Sequence, residues 1–127
     1  MKKIIQTPKA PAPIGPYNQA VWAKDTLYIS GQIGLNPETM EWQNSSIQTE
    51  TEQVMQNLKA ILEEAALDFS KVVKTTIFLS DMELFAQVNE VYGRYFDEST
   101  APARETVAVK SLPKYVNVEI SAIAVRL

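Results

Sequence analysis

The chain has 127 residues, 46% of them hydrophobic and 21% charged, with a formal net charge of −3 and neither histidine nor cysteine. That length suits one domain, residues 1–127, able to bury about two-thirds of the surface its unfolded chain exposes. The missing residue types exclude disulfides, thiolate nucleophiles, Ser-His relays and the usual metal sites, and the twelve scattered basic residues form no stripe for a phosphate backbone.

Any acid or base must therefore be Asp, Glu, Tyr, Lys or a group on the substrate. The N-terminal MKKIIQTP is too short in apolar residues for a signal-peptide core, and no span approaches membrane length. The expected location is the cytoplasm.

Along the chain, residues 3–6 read as an additional edge strand. Residues 8–16 (PKAPAPIGP) hold four prolines and one glycine, a stiff non-helical lead-in. It either packs as a surface loop or presents Tyr17 rigidly. Residues 18–23 and 26–34 flank Lys24-Asp25 and suggest a hairpin. Ser30-Gly31 within the second run reads as a strand bulge. Residues 35–46 read as turn and loop.

A helix is expected from Ser45 or Ser46, with Ser45 and Gln48 at capping-box spacing. Ile47, Val54, Leu58, Ile61, Leu62 and Ala65 mark its apolar face, with Glu50, Gln53, Lys59, Glu63 and Glu64 elsewhere. Residues 72–79 (VVKTTIFL) form the next strand. Asp81 is a candidate N-cap for a second helix carrying Phe85, Val88, Tyr92 and Phe96, and Gly93 within it marks a candidate close backbone approach. Strands follow at 105–109 and 116–125. The order is ββαβαββ, an α+β fold with two helices on one face of a mixed sheet.

In the last strand, Val116, Val118, Ile120, Ala122 and Ala124 alternate with Asn117, Glu119, Ser121, Ile123 and Val125, so apolar residues fall in both sets. Two helices cover only one face of a sheet, which implies another subunit on the other. Among these strands Arg104 and Thr106 share a face by the two-residue period, with Glu105 opposite. Arg104, one of three arginines, is either a solvated edge charge or an anchor for an anion. Glu119 interrupts an apolar strand, and is either paired with a cation such as Arg104 or used in a site.

IGPY (14–17), SGQIG (30–34), VVKTTIFLSDM (72–82), VNEVYGRYF (88–96), PAR (102–104) and VEISAIAV (118–125) together resemble the Rid/YjgF family of reactive-intermediate deaminases, collinearly over nearly the whole chain. The resemblance implies a chorismate-mutase-like single domain and a homotrimer with active sites between subunits. It implies hydrolysis of 2-imino acids and enamines (2-aminoacrylate, 2-iminopropanoate, 2-iminobutanoate) to 2-keto acids and ammonia, with no cofactor, metal, nucleic-acid or membrane partner. By position, Arg104 matches the arginine that binds the substrate carboxylate and Glu119 the glutamate near the attacking water. Tyr17, Ser30, Gly31, Asn89 and Thr106 match positions lining the cleft. Thr106 stands where the family often has Cys, Glu105 where many members have Ser, and Ser121 where a second glutamate is common.

The chemistry is compatible. Arginine offers a planar two-donor fork for a carboxylate, and a protonated C=N carbon accepts water without a covalent nucleophile. Two other readings are a non-catalytic trimer binding a small molecule or partner, and an endoribonuclease. The acidic pI of about 5.0 and the lack of histidine argue against the latter.

Overall fold

Strands β1 (Lys3–Ile5), β2 (Ala20–Ala23), β3 (Thr26–Ile33), β4 (Val72–Leu79), β5 (Ala103–Ala108) and β6 (Val118–Val125) join in one mixed sheet, ordered β1-β2-β3-β6-β4-β5. They are seen in a computed structural model that describes residues 2–126. Only β4 and β5 run parallel; the other neighbours are antiparallel. Helices α1 (Ile47–Glu64) and α2 (Phe85–Tyr92) link β3 to β4 and β4 to β5. The expected ββαβαββ order is present, with β1 as the added edge strand, and β6 inserts at the centre between β3 and β4.

Alternation decides what each strand buries. Val118, Ile120, Ala122 and Ala124 of β6 are buried beneath the helices, with Leu27 and Ile29 of β3 and Ile77 and Leu79 of β4 beside them. From α1, Val54, Met55, Leu58, Ile61 and Leu62 close this core, and Val88 and Tyr92 of α2 complete it. Fully burying one such side chain stabilises the fold by about 1.5–3 kcal/mol. The alternate set, Glu119, Ser121, Ile123 and Val125, is only half-buried and faces the side with no helix. Ile4, Tyr28 and Val107 are exposed on that same open face.

Several local expectations shift. Ser46 rather than Ser45 caps α1, its hydroxyl accepting from the Thr49 N–H at 3.0 Å, because the extended backbone falls at Ser46. Glu50 is fully buried instead of lying off the apolar face. Asp81 caps a 3-10 turn, Met82–Leu84, that leads into α2. Phe96 falls beyond α2 after a second 3-10 turn but still packs on Tyr92, with ring centroids 4.8 Å apart.

β5 begins at Ala103, so Arg104 lies inside the strand. β6 begins only at Val118, because residues 113–115 form a 3-10 turn whose Pro113 carbonyl takes the Val116 N–H. The hairpin turn is closed by Lys24 at φ 54°. A Cβ on Gly93 would meet nothing within 4 Å, so no close approach exists there. Among the described residues no helix is long and apolar enough to cross a membrane.

Candidate functional site

Strand register fixes where the polar residues point, because directly paired residues face the same side of a sheet. Arg104 pairs with Thr75 and Thr106 with Ile77, both buried under the helices, so Arg104 and Thr106 share the helix-covered face. There the Arg104 Nη1 donates to Asn89 Oδ1 at 2.7 Å. Its guanidinium carbon lies 5.0 Å from the Tyr92 ring centroid and 5.5 Å from that of Phe85. Tyr92 is steadied by a 2.7 Å hydrogen bond to Thr75 Oγ1, and burial pushes its phenol upward.

These contacts aim the guanidinium into a cleft lined by Asn89, Tyr92, Phe96, Glu98, Pro102 and Arg104, among others. Among the described residues no carboxylate lies within ion-pair distance of Arg104, so its charge is not neutralised. Among the described residues Arg104 is therefore not half of an edge salt bridge. Its neighbour Glu105 points to the opposite face and pairs with Thr76 at 2.5 Å and Lys74 at 3.1 Å. The Thr76 hydrogen bond, then Lys74, holds the Glu105 carboxyl below the usual range.

Glu119 pairs with Ile33 and Phe78 on the open face. Its carboxylate makes no hydrogen bond or ion pair among the described residues, and burial raises its affinity for a proton. Gly31 forms the wall against it. A Cβ there would come within 2.8 Å of Glu119 Cδ and closer still to Oε2. The register shift between Ile29 and Gln32 is the bulge that brings Gly31 to this contact.

Ser30 turns its hydroxyl to the Asn18 carbonyl at 2.6 Å and so ties the bulge to the loop carrying Tyr17. Tyr17 is half exposed; its hydroxyl accepts from the Ile14 N–H at 3.4 Å, and it shares a small apolar pocket with Ile14, Gly31 and Ile33.

The sequence-selected residues therefore form two groups. Arg104 and Asn89 are brought together on the helix-covered face, and Glu119 and Gly31 on the open face, with Ser30 and Tyr17 beside them. Within one chain the two groups look in opposite directions, so Glu119 is no partner for Arg104. Thr106 joins neither group: its hydroxyl is buried without a hydrogen-bond partner among the described residues, and it lines neither recess.

Sequence reasoning missed the buried polar residues that brace the segments around the Glu119 group. The Gln19 side chain accepts from the Thr7 N–H at 2.7 Å and donates to the carbonyls of Thr7, Ala10 and Pro11, pinning the proline-rich lead-in. Asn57 donates to the Ile33 and Leu35 carbonyls at the end of β3. Glu50 accepts from Asn117 and Val118 at the start of β6. A carboxylate or amide on an otherwise apolar helix face, as at Glu50 and Asn57, was the available signal for two of them.

The sequence model of the family described as Endoribonuclease L-PSP matches residues 7–126. A mouse protein named 2-iminobutanoate/2-iminopropanoate deaminase is 48% identical over 126 residues, covering 99% of this chain and 93% of its own. A Thermotoga maritima crystal structure bearing an endoribonuclease name is 49% identical with a TM-score of 0.96, covering 100% of this chain and 99% of that one. The crystal structure of E. coli TdcF with bound serine is 43% identical with a TM-score of 0.92, covering 98% and 99%. Other relatives are named only as RutC family proteins.

Proposed function

The chain belongs to the Rid/YjgF/RutC family, and from that premise we propose that it hydrolyses short 2-imino acids and their enamine tautomers to 2-keto acids and ammonia. The reaction takes place between protomers of a homotrimer, where the Arg104 group of one copy meets the Glu119 group of another. The observation that carries this reading is the Arg104 guanidinium, oriented by Asn89 and two aromatic rings yet matched by no carboxylate among the described residues. A fixed, unneutralised fork at a cleft is suited to a substrate carboxylate. The deaminase name of the mouse relative and the serine bound to TdcF support the same ligand class.

Arg104 binds the carboxylate with the N–H groups that Asn89 leaves free. Glu119, whose proton affinity is raised by burial, donates a proton to the imine nitrogen and makes its carbon more electrophilic. The resulting carboxylate accepts a proton from the water that adds to that carbon. Glu119 passes that proton to the amine nitrogen and takes the hydroxyl proton as the tetrahedral carbinolamine collapses, which breaks the C–N bond, forms the keto C=O and releases ammonia. Overall, one imine and one water become one keto acid and one ammonia. Tyr17, Ser30 and Gly31 wall the site. Because such imines also hydrolyse unaided, orientation and one acid/base group are sufficient assistance.

The test generates 2-aminoacrylate in a coupled assay and follows keto-acid release with and without the protein, alongside sedimentation equilibrium. Acceleration by a trimer is expected. No acceleration overturns the hydrolytic reading, and a stable monomer at micromolar concentration overturns the shared site. The serine-bound relative favours one second reading, a carboxylate-binding trimer; keto-acid binding without acceleration identifies it.

A further inference from the structure

Glu50 lies in the first turns of α1, is fully shielded from solvent, and has no cation within ion-pair distance among the described residues. A carboxylate buried without a counter-charge is costly, and an apolar side chain at this helix position would pack the same interface. The position near the helix N-terminus eases that cost, since it favours negative charge. Its contacts indicate what the carboxylate does.

Oε2 accepts from the backbone N–H groups of Asn117 at 2.8 Å and Val118 at 3.2 Å, and Oε1 accepts from Asn117 Nδ2 at 3.0 Å. Asn117 is also tied to the end of β4: its carbonyl accepts from the Ser80 N–H and its Oδ1 from the Ser80 hydroxyl, both at 3.0 Å. On the far side, a Cβ on Gly34 would lie 2.8 Å from Glu50 Cγ, so the end of β3 is pressed onto the same side chain.

Asn117 and Val118 are the two residues before Glu119. Glu119 has no polar partner among the described residues, so there its carboxylate is placed by the β6 backbone and the Gly31 wall. Whatever fixes the first residues of β6 fixes Glu119. We infer that Glu50 is a positioning residue for Glu119, a buried acceptor that sets the start of β6 from the opposite face of the sheet. This rests on the proposed hydrolytic role of Glu119. With Asn117 oriented as it is, only an acceptor-only group receives all three donors. Glutamine at position 50 keeps one oxygen for the two backbone N–H groups and turns an NH2 group towards the Asn117 NH2, which obliges that amide to turn over and exchange its bond with Ser80.

The test compares wild type, Glu50→Gln and Asn117→Ala for kcat and KM on the generated imine. It also follows the titration of the Glu119 carboxyl by 13C NMR, and secondary structure and assembly state by circular dichroism and sedimentation. Glu50→Gln should keep its fold and assembly, lose about tenfold or more in kcat with KM within twofold, and shift the Glu119 titration midpoint. Asn117→Ala keeps both backbone donors to Glu50 and loses the two side-chain bonds, to Glu50 and from Ser80, so it should fold and fall about threefold in kcat; it carries the comparison if Glu50→Gln does not fold.

Unchanged kcat and an unchanged Glu119 titration in the folded variants overturn the inference, as does a change in KM alone. If wild type shows no hydrolysis, the hydrolytic reading fails, and the Glu119 titration still decides whether Glu50 positions it.

Discussion

Arg104 is held from three sides, by Asn89 at 2.7 Å and by the rings of Tyr92 and Phe85 at 5.0 and 5.5 Å. Glu119, two strands away on the other face, makes no hydrogen bond or ion pair among the described residues and rests against a glycine. The contrast fits the roles proposed for the two residues. A fork that must meet a carboxylate in one plane gains from being fixed before the ligand arrives. A group that exchanges protons gains from a dry environment and from lone pairs not already engaged, because a permanent partner would hold it in one protonation state.

Breaking the arginine half should have the largest effect. Arg104→Ala removes a two-bond contact to the substrate carboxylate, at about 1.5–3 kcal/mol for each hydrogen bond to a charged group. Together these correspond to about a hundredfold or more in kcat/KM. Arg104→Lys keeps the charge without the fork and should recover only part of the loss. Both variants should fold, since Tyr92 remains bonded to Thr75. Steady-state kinetics and keto-acid affinity measure the effect; normal turnover in Arg104→Ala would remove Arg104 from the site.

Breaking the glutamate half should look different. Glu119→Gln keeps carboxylate binding and lowers kcat by about 10²-fold or more, the usual scale of general acid–base assistance. Loss of affinity alone would show that Glu119 binds rather than transfers protons. The same variant has a signature in stability. Burial raises the proton affinity of Glu119, so its contribution to stability is full below the ordinary glutamate range and is lost as pH rises through the raised folded value. Gln never ionises, so the thermal midpoint of Glu119→Gln should gain on that of wild type between about pH 4 and pH 7. A difference that shrinks over that range contradicts the desolvated carboxyl.

Gly31→Ala tests the wall. Its Cβ would press on the Glu119 carboxyl, and since that is the free end of a flexible side chain, the side chain moves and the fold survives. Gly31 carries no positive φ, so alanine adds no backbone strain. A fall of about tenfold in kcat with unchanged keto-acid affinity is expected, because a misplaced acid/base group loses alignment before it loses chemistry. Unchanged kcat would mean that the Glu119 position is not critical.

These glycines also show which parts of the molecule could be read from the sequence. The alternation in β6 and the 3.6-residue period of α1 are local, and they gave the sheet, the helices and the covered face. Ser30-Gly31 was legible as a bulge because a glycine inside a strand pattern is a local signal. The close approach at Gly31 was not, because Glu119 arrives there from a strand 88 positions later in the numbering.

Glu50 was misplaced for a different reason. Three residues after Ile47 and four before Val54, it lies on the apolar stripe, and only the donors that make its burial acceptable, at residues 117 and 118, are remote in sequence. Arg104 and Glu119 were legible as unusual residues in strands, and the family resemblance supplied the roles proposed for them. That they face opposite ways within one chain depends on the order of the strands, which no single segment encodes.

Gly93 was the other glycine marked for a close approach, and it offers the smallest effect and the sharpest contrast with Gly31. It lines the Arg104 cleft, yet a Cβ there meets nothing within 4 Å, and its φ of −63° and ψ of −18° suit any residue. Gly93→Ala should therefore stabilise the protein by about 0.4–1 kcal/mol, chiefly by narrowing the unfolded ensemble. That is a rise of about 2–4 °C in thermal midpoint for a chain of this size. kcat/KM should stay within about twofold of wild type, because Asn89, Tyr92 and Arg104 keep their contacts. A stabilised variant with a large rise in KM would show instead that the space beside Gly93 is filled when the site is complete, either by substrate or by a second copy of the chain. Sedimentation of the same variant separates the two: a weakened trimer points to the second copy, and an intact trimer to the substrate.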